Sequence, residues 1–130
     1  MYTLNIKYID IGINTLVAKM LVSKKLLQPM GYLHGGATIA LAESVGSALS
    51  IINLNQNNLN IFNIEISANH IRNVRNGIIF AKSKIIHKGK KIHFIKINIY
   101  NEHKNIISFC KMTNIIIPKK KYEIYRNKYH

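Results

Sequence analysis

The rhythm of hydrophobic and polar positions changes three times along this 130-residue chain. Tyr2 to Ile11 is short, mixed and rich in Ile and Tyr, which predicts a strand. After a turn at Gly12–Asn14, the loose alternation from Thr15 to Val22 predicts a second one. Lys24 to Gly31, carrying Gln28, Pro29 and Gly31, reads as a loop. Gly35 to Ile52 is different: small, apolar and poor in β-branched residues until its end. It is too long for a strand and predicts the one substantial helix.

An Asn-rich loop, Asn53 to Asn60, follows, and everything beyond it reads as strands. Phe62, Ile64, Ile66, Ala68, His70 and Val74 share one face at period two, opposite Asn63, Glu65, Ser67, Asn69 and Asn73. Asn76-Gly77 is a hairpin signal. Ile78–Ile86, Ile92–Tyr100 and Asn105–Ile117 complete the strands, with turns at His87–Lys91 and Asn101–Lys104. The sum is a single α+β domain over residues 1–118, an antiparallel sheet covering one long apolar helix. A basic tail, residues 119–130, reads as a solvated end.

Composition removes several classes. Apolar residues make up 48% and charged residues 18%, which excludes a disordered chain. The lone Cys110 forms no internal disulfide, no Cys/His spacing suits a metal, and the first residues lack the pattern of a secretory signal. The reading is a cytoplasmic protein with neither metal nor cofactor. The helix is long enough to span a bilayer, but Glu43 at its middle argues against it. Nineteen Lys and Arg against five Asp and Glu give +14, a surplus that attracts polyanions. The chain also holds 25 Ile and 16 Asn, and AT-rich coding accounts for all three excesses together.

Candidate chemistry gathers on the helix. Asp10, Glu65, Glu102 and Glu123 occupy turn, polar-face or tail positions, whereas Glu43 lies among apolar residues. A carboxylate there is costly unless it meets a partner or solvent, so it is either a general base or nucleophile in a cleft, or a residue facing a wet groove. Ser47, one turn on, shares its face. At the helix start, His34-Gly35-Gly36 leaves the first backbone N–H groups open to an anion. Gly35 and Glu43 are eight residues apart, about 12 Å along the axis. One carbonyl cannot meet both groups of the same helix. Two helices antiparallel across a twofold would bring one chain's Gly35 to the other's Glu43, so a site using both requires a homodimer. His70, inward on its strand, needs a partner. Arg72 and Arg75 follow it, and His87-Lys-Gly-Lys90-Lys91 forms a basic glycine turn that suits phosphate or solvent.

The run Gln28-Pro-Met-Gly-Tyr-Leu-His34-Gly35-Gly36, followed by Leu-Ala-Glu43-Ser-Val-Gly-Ser47, resembles the signature of hotdog-fold acyl-CoA thioesterases. Glu65-Ile-Ser-Ala-Asn69-His70-Ile-Arg72 also resembles the subgroup that holds 1,4-dihydroxy-2-naphthoyl-CoA hydrolase and the proofreading thioesterase of enterobactin synthesis. The similarity runs from about residue 3 to 117. It implies a sheet wrapped around the helix, with active sites at a dimer interface and often a tetramer. It implies Glu43 as nucleophile or general base and the Gly35 N–H polarising the thioester carbonyl. Gln28 and His34 would position the thioester, and Ser47 would hold the attacking water or the intermediate. His70 would line the substrate pocket with Gly36 beside it, and Arg72, Lys90 and Lys91 would meet the phosphates of CoA. Ala48 falls where acyl choice is tuned. The chain starts short of an N-terminal helix that relatives carry, and it continues beyond their last strand.

The function implied is hydrolysis of an aromatic acyl-CoA, 1,4-dihydroxy-2-naphthoyl-CoA in menaquinone biosynthesis. The alternatives are release of misloaded groups from an acyl-carrier protein, and a non-catalytic acyl-CoA or nucleic-acid binder. No membrane partner is expected, and the presence of Glu43, Gln28 and Ser47 argues against the nucleic-acid version.

Overall fold

Short apolar stretches with turn residues between them become strands here, and the one Ala-rich run becomes the helix they enclose. A computed structural model describes residues 4–55, 57–120 and 127. The elements are β1 (Ile6–Gly12), β2 (Thr15–Leu21), a single 3-10 turn (Lys24–Leu26), α1 (Gly35–Ile52), β3 (Leu59–His70), β4 (Ile78–Lys88), β5 (Ile92–Tyr100) and β6 (Ile106–Pro118). All six strands form one antiparallel sheet in the order β1-β2-β4-β5-β6-β3. The α+β reading therefore holds, and α1 spans the residues the sequence predicts for it. Tyr2 and Thr3, and the tail residues 121–126 and 128–130 with Glu123 among them, lie outside the described residues.

The helix buries Ala37, Thr38, Leu41, Ala42, Val45, Gly46, Leu49 and Ser50. These fall on one side at helical spacing and meet Leu16, Ala18, Met20, Ile79, Ala81, Ile95, Ile97, Ile99, Cys110 and Met112 from the sheet. Full burial of each large aliphatic side chain contributes about 1.5–3 kcal/mol. Small residues on this side let the sheet approach closely. A Cβ on Gly46 would collide with the Met112 sulfur, which explains a glycine at mid-helix. Bulges in β1 between Tyr8 and Asp10, in β3 between Asn63 and Glu65, and in β4 between Ile85 and His87 bend the strands around the helix. Although α1 has the length and hydropathy of a membrane span, its core-facing half is covered by this sheet.

Two sequence expectations need correction. Asn76-Gly77 does turn the chain, with Gly77 at φ +88°, but it joins no hairpin. β3 pairs with β6 at the far edge, while β4 sits between β2 and β5. The segment between them crosses the end of the sheet. Ile71 and Arg72 donate to the Ile107 carbonyl there, while the carbonyls of Val74 and Gly77 accept from Leu33 and Val22. A turn signal reports local backbone geometry and not which strands become neighbours.

The shared face from Phe62 to Val74 is also broken. The bulge leaves Ile64 unpaired and 58% exposed. Asn63, opposite buried Asn114, lies inward before the bulge; Ile66 and Ala68, opposite Met112 and Cys110, lie inward after it, and His70, opposite Ser108, shares their face but is exposed because the strand ends there. Phe62 and Ile64 therefore leave the core face, and the strand ends at His70, short of Val74.

Candidate functional site

The N-terminal end of α1 is built by a loop that folds back on itself. Leu27 and Leu33 form an isolated bridge, and His34 donates to the Leu26 carbonyl at 2.9 Å. Gln28 therefore lies at the loop tip, where its Oε1 accepts from the Met30 N–H at 2.8 Å and its own N–H donates to Tyr32 O at 2.7 Å. Gly31, at φ +86°, permits the reversal. Arg75 holds the loop from across the site: its guanidinium stacks 4.5 Å over the Tyr32 ring and donates to the Tyr32 hydroxyl at 2.8 Å. Nothing in the sequence pairs these two residues.

His34 is the N-cap of α1, and its carbonyl accepts from Ala37 and Thr38. The N–H groups of Gly35 and Gly36 precede the first intrahelical acceptors, so they face outward at the positive end of the helix. His70 closes the site on the β3 side. Its Nε2 stands 3.0 Å from where a Cβ on Gly35 would sit, and its Nδ1 is 2.7 Å from Ser108 Oγ. Glycine at position 35 is thus what lets the imidazole lie against the helix terminus. Arg72 follows at the same end, and its side chain is exposed.

Glu43 and Ser47 lie further along α1, on the side that the sheet leaves uncovered. That side runs through Gly36, Ile39, Ala40, Glu43, Ser44, Ser47, Ala48, Ile51 and Ile52, none of them buried. Glu43 is exposed in the single chain, so the carboxylate enclosed among apolar residues is not what one copy presents. The reason is geometric: Ala42 and Val45 take the inward positions and Glu43 falls between them on the outer face. One chain brings together His34, Gly35, Gly36, His70 and Arg72. It holds Glu43 and Ser47 two and more turns away, with Gln28 on the adjoining loop.

Lys90 and Lys91 are separated from this end altogether. Lys88 donates to the C-cap residue Asn53 at 3.1 Å, and a recess of ≈ 450 Å³ lined by Asn53, Leu54, Leu59, Lys88, Lys90 and His93 lies there. An 18-residue helix, about 27 Å long, separates these lysines from Arg72. Grouping Lys90, Lys91 and Arg72 on one nucleotide is therefore incompatible with a single chain.

The same end holds a buried network that sequence pattern missed. Ser50 Oγ is 2.9 Å from His93 Nδ1 and accepts from Asn114 Nδ2 at 2.8 Å. Burial, and then the charges of Lys88 and His87, hold His93 below its ordinary value. In the unfolded chain this imidazole takes a proton near pH 6.5, before the folded one does. Its contribution is thus complete above that pH and is lost as pH falls below it towards the lower folded value. We expect Tm to drop as the buffer is taken from about pH 7.5 to 5.5, and His93→Gln to flatten that slope; equal slopes in thermal melts of the two proteins would refute it. Burial likewise pushes the Cys110 thiol up to about 11, which leaves it unreactive.

Residues 30–108, which include the glycine-capped helix and the strands that close over it, match the family model described as the thioesterase superfamily. The chain belongs to that superfamily. This thioesterase is 34% identical over 114 residues to the 1,4-dihydroxy-2-naphthoyl-CoA hydrolase of Escherichia coli, covering 88% of this chain and 83% of the relative. It is 32% identical over 122 residues to the enzyme of the same name from Listeria monocytogenes, covering 92% and 96%. Among solved structures, a thioesterase of Haemophilus influenzae superposes with a TM-score of 0.83 at 32% identity, over 88% of this chain and 79% of that one. The fold is the hotdog fold, and the protein is an enzyme of thioester hydrolysis.

Proposed function

We propose that this thioesterase hydrolyses an aromatic acyl-CoA, 1,4-dihydroxy-2-naphthoyl-CoA in menaquinone biosynthesis, at two equivalent sites shared between two copies of the chain in the cytoplasm. The observation that carries the shared site is the position of Glu43. It stands on an uncovered helix face of small and aliphatic residues, eight positions from the Gly35 N–H it must work with. Two such faces packed antiparallel about a twofold set Gly35 of one copy opposite Glu43 of the other. The same operation carries the second copy's basic turn towards the first copy's Gln28 loop. Lys90 and Lys91 then join Arg72 at one site, where they would meet the phosphates of CoA.

In the reaction, Glu43 either takes the proton of a water held by Ser47 as that water adds to the carbonyl carbon, or adds to that carbon itself and forms a mixed anhydride, which water cleaves to the free acid once the thiol has left. The Gly35 N–H steadies the oxygen that gains charge, while Gln28, His34 and Gly36 hold the thioester in line. The carbon–sulfur bond then breaks, and the thiolate leaves with the electron pair and takes up a proton. Support for pairing Gln28 with Glu43 comes from a Staphylococcus aureus thioesterase, 34% identical with a TM-score of 0.84 over 87% of this chain and 93% of that one. It was crystallised as a glutamine-to-alanine and as a glutamate-to-alanine mutant. Those two positions are fifteen residues apart, the spacing of Gln28 and Glu43. Names of the relatives support the naphthoyl substrate, and a domain over residues 1–118 carries all the machinery named.

Thiol release from 1,4-dihydroxy-2-naphthoyl-CoA, benzoyl-CoA, a medium-chain acyl-CoA and an aryl-carrier-protein thioester decides the substrate. The highest kcat/KM is expected for the naphthoyl thioester. Preference for the carrier-bound group would replace this reading with proofreading. A folded dimer that turns over none of the four would leave a binding protein.

A further inference from the structure

His70 does more than line a pocket if its proton is where the hydrogen bonds put it. Ser108 lies directly across the β3–β6 ladder from His70 and is fully buried. Among the described residues its hydroxyl makes one hydrogen bond, the 2.7 Å contact to His70 Nδ1. A buried hydroxyl hydrogen with nothing to bond is costly, so the Oγ–H points at Nδ1 and Nδ1 accepts. The neutral imidazole must then carry its own proton on Nε2. Nε2 faces Gly35, within about 4.5 Å of that residue's Cα when a carbon–carbon bond is added to the 3.0 Å Cβ contact. Two donors, the Gly35 N–H and the His70 Nε2–H, therefore belong to the same positive end of α1.

We propose that His70 is a second oxyanion donor for the thioester, and that Ser108 is a positioning residue that fixes the tautomer able to donate. This rests on the thioesterase reading above. As the oxygen nucleophile adds to the carbonyl carbon, the π pair moves onto the carbonyl oxygen. That oxygen then accepts hydrogen bonds from Gly35 N–H and His70 Nε2–H. When the intermediate collapses, the C=O bond re-forms, the carbon–sulfur bond breaks and the sulfur leaves with its electron pair. His70 keeps its proton throughout, which distinguishes this role from that of a general base. The opposite tautomer, Nδ1–H donating to Ser108, would leave a lone pair on Nε2 where charge builds up on oxygen.

Long-range ¹H–¹⁵N spectra of the full chain at neutral pH read the tautomer without substrate. The expected signature for His70 is protonated Nε2 and bare Nδ1, becoming a mixture in Ser108→Ala and returning in Ser108→Thr. In thiol-release kinetics, His70→Ala should lower kcat about 10²-fold with KM changed less than about threefold. Ser108→Ala should lower kcat by about tenfold, and Ser108→Thr should recover most of it. A wild-type ring protonated on Nδ1 overturns the tautomer and the proposal with it. An unchanged kcat in His70→Ala overturns the donor role and leaves the thioesterase reading standing. A rise in KM alone reduces His70 to pocket lining. The thioesterase reading itself fails only on the wild type, by absence of turnover across the whole thioester panel.

Discussion

Glu43→Ala is expected to fold and assemble as the wild type does and to lose about 10³-fold or more in kcat on the best thioester. The size follows from its place in the molecule. Glu43 is exposed on one chain, so truncation should leave Tm within about a degree or two. Among the described residues the carboxylate is also alone: Asp10, Glu65 and Glu102 are exposed on other segments, and Glu102 accepts from the Ile78 N–H at 2.7 Å. No second acid on the uncovered face of α1 can take its place. Glu43→Gln keeps the shape and removes the basicity, and should be nearly as inactive. Turnover within tenfold of the wild type in either variant would end the assignment of Glu43 as base or nucleophile.

Mixing two inactive variants should restore activity. If Gly35 and Glu43 of one site come from different copies, a dimer of Gly35→Val with Glu43→Ala has one site with both defects and one with neither. Equal co-expression gives half heterodimers, each with one intact site, so the mixture should reach on the order of one quarter of wild-type activity. Each variant alone stays near background. The Gly35 change is chosen because a side chain there meets His70 Nε2. Glu43→Ala with His70→Ala should behave alike, since His70 shares the Gly35 end. An activity equal to the average of the parents would place both groups in one copy and rule out the shared site.

Much of this protein can be read along the chain. The helix Gly35–Ile52, the order of two strands, helix and four strands, and the cluster His34-Gly35-Gly36 with Glu43 and Ser47 beyond it are local in character. They depend on periodicity, on propensity and on where an α-helix leaves its first N–H groups, and short-range interactions fix all three. The eight-residue separation of Gly35 and Glu43 is likewise a property of any helix, so the proposal of a site shared by two copies already follows from the sequence.

What sequence alone left open depends on contacts between distant segments. The neighbours of β3 differ from the hairpin reading because Asn76-Gly77 fixes a turn and not a partner: β3 pairs with β6, and β4 pairs with β2 and β5. The inward face of β3 was misread because one bulged residue, Ile64, reverses the alternation. Ser108, 38 residues from His70, and the Ser50–His93–Asn114 network carry no local signature. Nor does the distance from Arg72 to Lys90, which lie 18 positions apart in sequence and at opposite ends of the helix. The sequence by itself determined the elements and the candidate chemical groups; the tertiary structure alone decided which of them meet. Hydrogen bonds and burial between remote residues are cooperative properties of the closed sheet, and no window of the chain contains them.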